Sequence, residues 1–120
     1  MRRSIPLIIT LGLAFAITAC QSPTPTLSFV GTSTFESVSY DLTLDLQRVG
    51  DRLVGEYYVE TARGDFDGTV VGTAVVAELA PSSTCSYSFE GTLTQTRLNG
   101  TFEPADCPGG QTGTWELERR

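Results

Sequence analysis

The sequence predicts an all-β protein, a small antiparallel meander barrel of about eight strands following an N-terminal signal helix. Three observations carry this. Apolar and polar residues alternate with period 2 through most of residues 27–120. No stretch of that segment shows a 3.6-residue period. Gly, Pro, Asn and Asp punctuate it at short intervals, while Thr is its commonest residue and Met is absent.

The N-terminal segment reads as an address. Met1-Arg2-Arg3 is a short basic start, and an apolar run from Ile5 to Ile17 follows, broken only by Pro6, Thr10 and Gly12. The run is short for a transmembrane helix and ends in small residues, which is the form of a secretory signal. Ile17-Thr18-Ala19-Cys20 resembles the lipobox of bacterial lipoproteins: an aliphatic residue, two small residues and a cysteine. The resemblance implies cleavage after Ala19, a diacylglycerol on the Cys20 thiol and a fatty acid such as palmitate on the new amine. Two or three acyl chains suffice for stable anchoring. Gln21 stands where Asp would favour inner-membrane retention in enterobacterial lipoproteins. The expected location is therefore the bacterial cell envelope, at the outer membrane or cell surface, facing the periplasm or exterior.

Cleavage removes Arg2 and Arg3, so six arginines remain against 14 acids and the net charge moves from −6 to −8. An acidic domain is repelled by anionic headgroups. The domain is accordingly expected to stand clear of the lipid on residues 21–26. Their alternating prolines favour an extended polyproline II tether of roughly 15–20 Å.

The strands follow in order. Leu27–Gly31 is a first short strand. Val38, Tyr40, Leu42, Leu44 and Leu46 alternate with Ser39, Asp41, Thr43, Asp45 and Gln47, the pattern of a half-buried strand. Val49-Gly50-Asp51 turns the chain, and Leu53, Gly55, Tyr57 and Val59 share one face of the return strand. A turn is expected at Ala62–Asp65. Phe66–Val70 and Ala74–Leu79 are strands joined near Gly72, and Pro81-Ser82-Ser83 breaks the run. Cys85, Tyr87, Phe89, Gly91 and Leu93 share a face, as do Leu98, Gly100 and Phe102. Pro108-Gly109-Gly110 is a loop, and Gly113, Trp115 and Leu117 lie on the last strand.

Two units resemble each other: Arg52-Leu53-Val54-Gly55-Glu56-Tyr57 and Arg97-Leu98-Asn99-Gly100-Thr101-Phe102. Each follows a turn and opens a return strand, which suggests a duplicated hairpin. The inward glycines are expected to relieve crowding in a small coiled sheet, or else to admit a ligand against bare backbone.

With Cys20 committed to lipid, Cys85 and Cys107 remain, and one disulfide is expected in an exported chain. The pair also discriminates between hairpin registers. A turn at Asn99-Gly100, the stronger local signal, would set Cys107 opposite Thr92. A turn centred on Gln95 pairs residues whose numbers sum to 190 and sets Cys85 opposite Ala105, within disulfide reach of Cys107. The second register is expected.

The inventory excludes much chemistry. The chain has no His and no Lys, so His-based general acid/base catalysis, His-ligated metal sites, Schiff-base chemistry and a phosphate-clamping lysine are all absent. A pI near 4.4 argues against a nucleic-acid partner. Asp41 and Asp45, four residues apart on one strand face, lie about 13 Å apart, too far for a glycosidase pair; Glu56 and Glu60 share that spacing. Asp65-Phe66-Asp67-Gly68 lacks the third ligand and the bidentate Glu of a calcium loop. Arg63-Gly64-Asp65 is a chance adhesion tripeptide. Ser82-Ser83-Thr84 has no base to activate it. No enzyme, cofactor or metal is expected.

Binding is the better expectation. Tyr40, Tyr57, Phe66, Tyr87, Phe89, Phe102 and Trp115 all fall on predicted inward faces, and an eight-stranded barrel is either filled by its side chains or holds one small ligand. The alternating strands, with Leu53-x-Gly55-x-Tyr57 and Leu98-x-Gly100-x-Phe102, resemble loosely the lipocalin and avidin-like meander barrels. Here Gly113-Thr114-Trp115 lies on the last strand, whereas lipocalins carry Gly-x-Trp on the first. That resemblance implies a module binding a small apolar or amphipathic ligand. Protease- and lysozyme-inhibitor lipoproteins share the size, disulfide and barrel form. They imply instead a protein partner met by a loop such as Asp106–Gln111, and a structural envelope component is a third reading.

Overall fold

A computed structural model of the chain describes residues 26–60, 62–82 and 84–120. The expected signal helix, the lipidation site Cys20 and tether residues 21–25 lie outside the described residues. The described chain forms eight strands: β1 Thr26–Phe35, β2 Val38–Val49, β3 Arg52–Val59, β4 Ala62–Val71, β5 Ala74–Ser82, β6 Cys85–Leu93, β7 Arg97–Pro104 and β8 Gly113–Arg119. Each pairs antiparallel with the next, and β8 returns to β1, closing the barrel. Closure leaves no long unpaired strand edge.

The alternation read from the sequence is the burial pattern of the barrel wall. Leu42, Leu44 and Leu46 on β2, Leu53 on β3, Phe66 and Val70 on β4, and Trp115 and Leu117 on β8 point inward, and their neighbours face water. Phe66, Phe89 and Trp115 fill the waist, with ring centroids 5.1–6.3 Å apart. Such tilted and offset pairs suit the ring quadrupoles.

Four expectations are corrected. β1 runs on to Phe35, beyond Gly31, because the chain turns at Glu36-Ser37, where two non-glycine residues take φ of 53° and 66°. Two left-handed central residues make the hairpin turn that matches strand twist. Ala62–Asp65 is strand, and the chain turns just before it, after Val59; Arg63-Gly64-Asp65 therefore lies in the wall. β5 continues through Pro81 to Ser82, with a register shift after Leu79. The β6–β7 partners sum to 191, as in Phe89↔Phe102 and Leu93↔Leu98, not to 190. The reason is parity: Phe89 and Phe102 both face inward only if paired numbers sum to an odd value, and a slip of one residue would turn one of them out. Asn99 and Gly100 do lie inside β7, against their local turn signal.

The repeated units occupy β3 and β7, four strands apart and so on opposite walls. Each opening arginine ion-pairs with the following strand: Arg52 with Asp67 at 2.7 Å, Arg97 with Glu118 at 3.0 Å. Leu53 and Leu98 are both fully buried. The space beside the inward glycines is occupied by protein. A Cβ on Gly91 or Gly100 would strike the Phe89 ring, and one on Gly113 the Phe102 ring.

Candidate functional site

The two ends of the barrel differ. At one end Thr26 enters, Gly50-Asp51 and Gly72-Thr73 make two-residue turns, and Arg120 closes the chain. At the other end stand the Glu36-Ser37 turn, the disulfide and the long β7–β8 connection of residues 105–112.

That connection is tied down at several points. Cys85 and Cys107 are disulfide-bonded, with Cα atoms 4.8 Å apart. Asp106 accepts hydrogen bonds from the Ser86 amide and, at 3.1 Å, from the Ser86 hydroxyl. The Ala105 and Asp106 amides both donate to the Ser86 carbonyl. Cys107-Pro108-Gly109-Gly110 then forms a turn in which the Gly110 amide donates to the Cys107 carbonyl at 3.0 Å. Proline sets the first central residue, and Gly109 takes the required positive φ of 74°. The turn sets Gly110 beside the Tyr87 hydroxyl, and Gly109, Gly110 and Gln111 line one recess with Phe35, Tyr87 and Phe102.

Beneath those three rings is a cavity of about 110 Å³, lined by Ser33, Phe35, Tyr57, Val59, Leu79, Tyr87, Phe102 and Trp115. A second recess of about 140 Å³ shares Phe35, Tyr87 and Phe102 with it and is completed by Gly109, Gly110 and Gln111. Phe35 stacks on Tyr40 at 4.8 Å and meets Phe102 edge-on at 6.3 Å; Tyr87 meets Phe102 edge-on at 5.8 Å. Three of these rings, Phe35, Tyr87 and Phe102, thus border both small recesses. Ser33, the buried polar side chain among the described residues, puts the one hydroxyl of a short side chain among the lining residues.

Of the seven aromatic residues proposed from the sequence, Tyr57, Tyr87, Phe102 and Trp115 line this cavity. Phe66 and Phe89 are fully buried in the waist below it. Tyr40 is half-buried on the inward face of β2, opposite Ser33 and stacked on Phe35, but it is not among the lining residues. Phe35, Val59, Leu79 and Ser33 complete the lining; extending the first strand's alternation past Gly31 would have found Ser33 and Phe35.

Burial, with smaller contributions from Tyr87 and Asp65, pushes the Tyr57 hydroxyl up to about 12. An unfolded tyrosine ionises near 10. Between pH 10 and 12 the unfolded chain therefore releases a proton that the folded chain keeps, and stability falls as pH rises through that window. Denaturant midpoints measured from pH 9 to 12 should fall, and the Tyr57→Phe variant should fall less. Equal slopes would show that Tyr57 does not titrate late.

Two exterior features also bear on function. A polar groove of about 640 Å³ runs outside the wall past Arg63, Glu78, Ser82, Ser86 and Asp106. Asp45, Glu56 and Asp65 are direct partners on three successive strands, a row of like charges invisible to spacing within one strand. Asp45 accepts from the Ser28 hydroxyl at 2.8 Å, Glu56 accepts from Tyr58 at 2.7 Å, and Arg63 lies 3.6 Å from Glu56. Among the described residues, no group of three His, Cys, Asp or Glu is arranged to hold a metal ion. No family model matches the chain, and no curated protein matches it in sequence.

Proposed function

We propose that this chain is a non-enzymatic lipoprotein of the bacterial envelope, held in the membrane by acyl chains on Cys20, whose barrel binds a small apolar or amphipathic ligand at the end remote from the tether. The observation that supports this reading is the apolar cavity of about 110 Å³ under an aromatic rim. Its size sets the ligand class. Pockets that enclose drug-sized molecules run to roughly 300–1,000 Å³, whereas an apolar cavity of about 150 Å³ takes benzene. The cavity suits one ring or a short alkyl end, with the polar remainder of the ligand held at the rim by Tyr87 and Gln111 beside it. Neither a cofactor nor a metal enters this reading.

A specific observation favours a second reading, a protein-interaction or inhibitor module. The connection of residues 105–112 is pinned by the disulfide and by Asp106, and a pre-ordered loop binds a partner at low entropic cost.

Native mass spectrometry of the protein purified from membranes tests the first reading, with Trp115 fluorescence as a site-specific reporter. A retained small molecule is expected, and Ser33→Ile, which fills the cavity, should weaken its binding at least tenfold. A ligand-free protein whose Trp115 emission answers no apolar probe would defeat the ligand reading. A tight protein partner lost on changing Gly109–Gln111 would establish the second.

A further inference from the structure

We infer that the tether end of the barrel is a contact surface for an anionic phospholipid headgroup layer, so that the domain rests on the membrane instead of standing clear of it. This rests on the membrane-anchored reading above, and three placements carry it. First, the charge is polarised. Of the six arginines after residue 20, Arg48, Arg52, Arg97, Arg119 and Arg120 all lie at the end where Thr26 opens β1. The acids there are Asp45, Asp51, Asp67 and Glu118, two of them engaged by Arg52 and Arg97, so five arginines meet four acids at this end. The other ten acids and Arg63 lie elsewhere on the barrel. With screening over about 10 Å at 0.1 M salt, a surface at the tether end meets the arginines first, whatever the net charge of the whole.

Second, the same end carries exposed apolar tips. Val71 and Val49, 76% and 60% exposed, are the two most exposed large apolar side chains among the described residues. Each flanks one of the two-residue turns, Gly72-Thr73 and Gly50-Asp51. A side chain so placed gains little from folding, and it can enter the boundary between headgroups and acyl chains beside cations that meet the phosphates. Arg48 is held over its turn by a bond to the Gly50 carbonyl at 3.0 Å, and Arg119 lies over the Phe29 ring at 5.9 Å.

Third, β1 opens at this end with Thr26, so on the membrane-anchored reading this end is the one turned toward the lipid and the aromatic mouth is turned away from it.

The test places a tryptophan at either end of the full, membrane-purified protein: Val71→Trp at the tether end, Val38→Trp at the opposite rim. Each is reconstituted into vesicles of equal parts phosphatidylglycerol and brominated phosphatidylcholine, and into brominated phosphatidylcholine alone. Trp115, common to both, is the background. On the anionic vesicles, bromine should quench the Val71→Trp variant at least twofold more than the Val38→Trp variant, and 0.5 M salt should reduce the difference. The difference should vanish on neutral vesicles, or when Arg48, Arg119 and Arg120 are all replaced by Gln. Equal quenching at both ends, quenching of neither, or quenching indifferent to lipid charge overturns the inference. Intact mass scores the acyl chains separately: acylation with no quenching of the tether-end tryptophan removes the contact and keeps the anchor, while a chain without acyl groups removes the anchor itself.

Discussion

Gly31→Ala is expected to destabilise the barrel by about 3 kcal/mol or more, at the upper end of overpacking costs. A Cβ at residue 31 would collide with the Glu116 carbonyl oxygen and lie 2.8 Å from the Leu117 Cα. Both obstacles are backbone, and both belong to β8, the strand that closes the barrel on β1. A flexible side chain could swing aside; a hydrogen-bonded strand moves only by opening the seam. Gly55→Ala repeats the problem at the β2–β3 seam, where the Asp45 carbonyl oxygen stands in the way and the Leu46 Cα lies at 2.9 Å. Gly72→Ala supplies the comparison. Nothing lies within 4 Å of its added Cβ, and only the positive φ of 65° opposes it, a cost of roughly 1–2 kcal/mol. Urea midpoints followed by Trp115 fluorescence should rank the Gly31→Ala and Gly55→Ala variants well below Gly72→Ala. A Gly31→Ala protein as stable as Gly72→Ala would mean that the seam yields easily. Against a total stability of about 5–15 kcal/mol, the expected loss decides whether the chain is found folded in a cell.

These glycines show what a single sequence can convey. Their inward position was legible, because Leu53-x-Gly55-x-Tyr57 keeps period 2. What they accommodate was not, because the atoms they admit belong to strands 10 to 86 residues away along the chain, in Asp45 for Gly55 and Leu117 for Gly31. The barrel itself was legible because every strand has one wet and one dry face, and the alternation on β2, β6 and β8 leaves no other period to fit. Phe35 escaped because Glu36-Ser37 carries none of the usual hairpin residues, although both adopt the left-handed conformation. The β6–β7 register differs by one from expectation because disulfide reach tolerates either sum, and only the shared inward face of Phe89 and Phe102 decides between them. The cavity was the least legible feature. A set of inward aromatics cannot say that Phe89 lies over Gly91 and Gly100 and fills the waist, while Tyr57, Tyr87 and Phe102 line an open recess above it.

Replacing both Cys85 and Cys107 by Ala is the second large effect expected, a loss of about 3 kcal/mol on the chain-entropy account of a loop of this length. For a domain of this size that lowers the melting temperature by roughly 10–20 °C. The cross-link spans 22 residues and takes in the whole β6–β7 hairpin, so its removal frees the unfolded chain most. The folded connection should change little, because Asp106 still holds Ser86 by two side-chain bonds and the Gly110 amide still closes its turn on residue 107. The double variant is therefore expected to melt early yet keep the mouth: Tyr87 stays beside Gly110, and affinity for the ligand proposed for the cavity falls by no more than a few fold. Asp106→Ala, with the disulfide intact, should do the reverse, costing about 1 kcal/mol in stability and weakening binding more than the cysteine variant does. Calorimetry paired with Trp115 titration separates the two roles. If the cysteine variant loses binding well below its melting temperature, the disulfide, not Asp106, holds the mouth in shape.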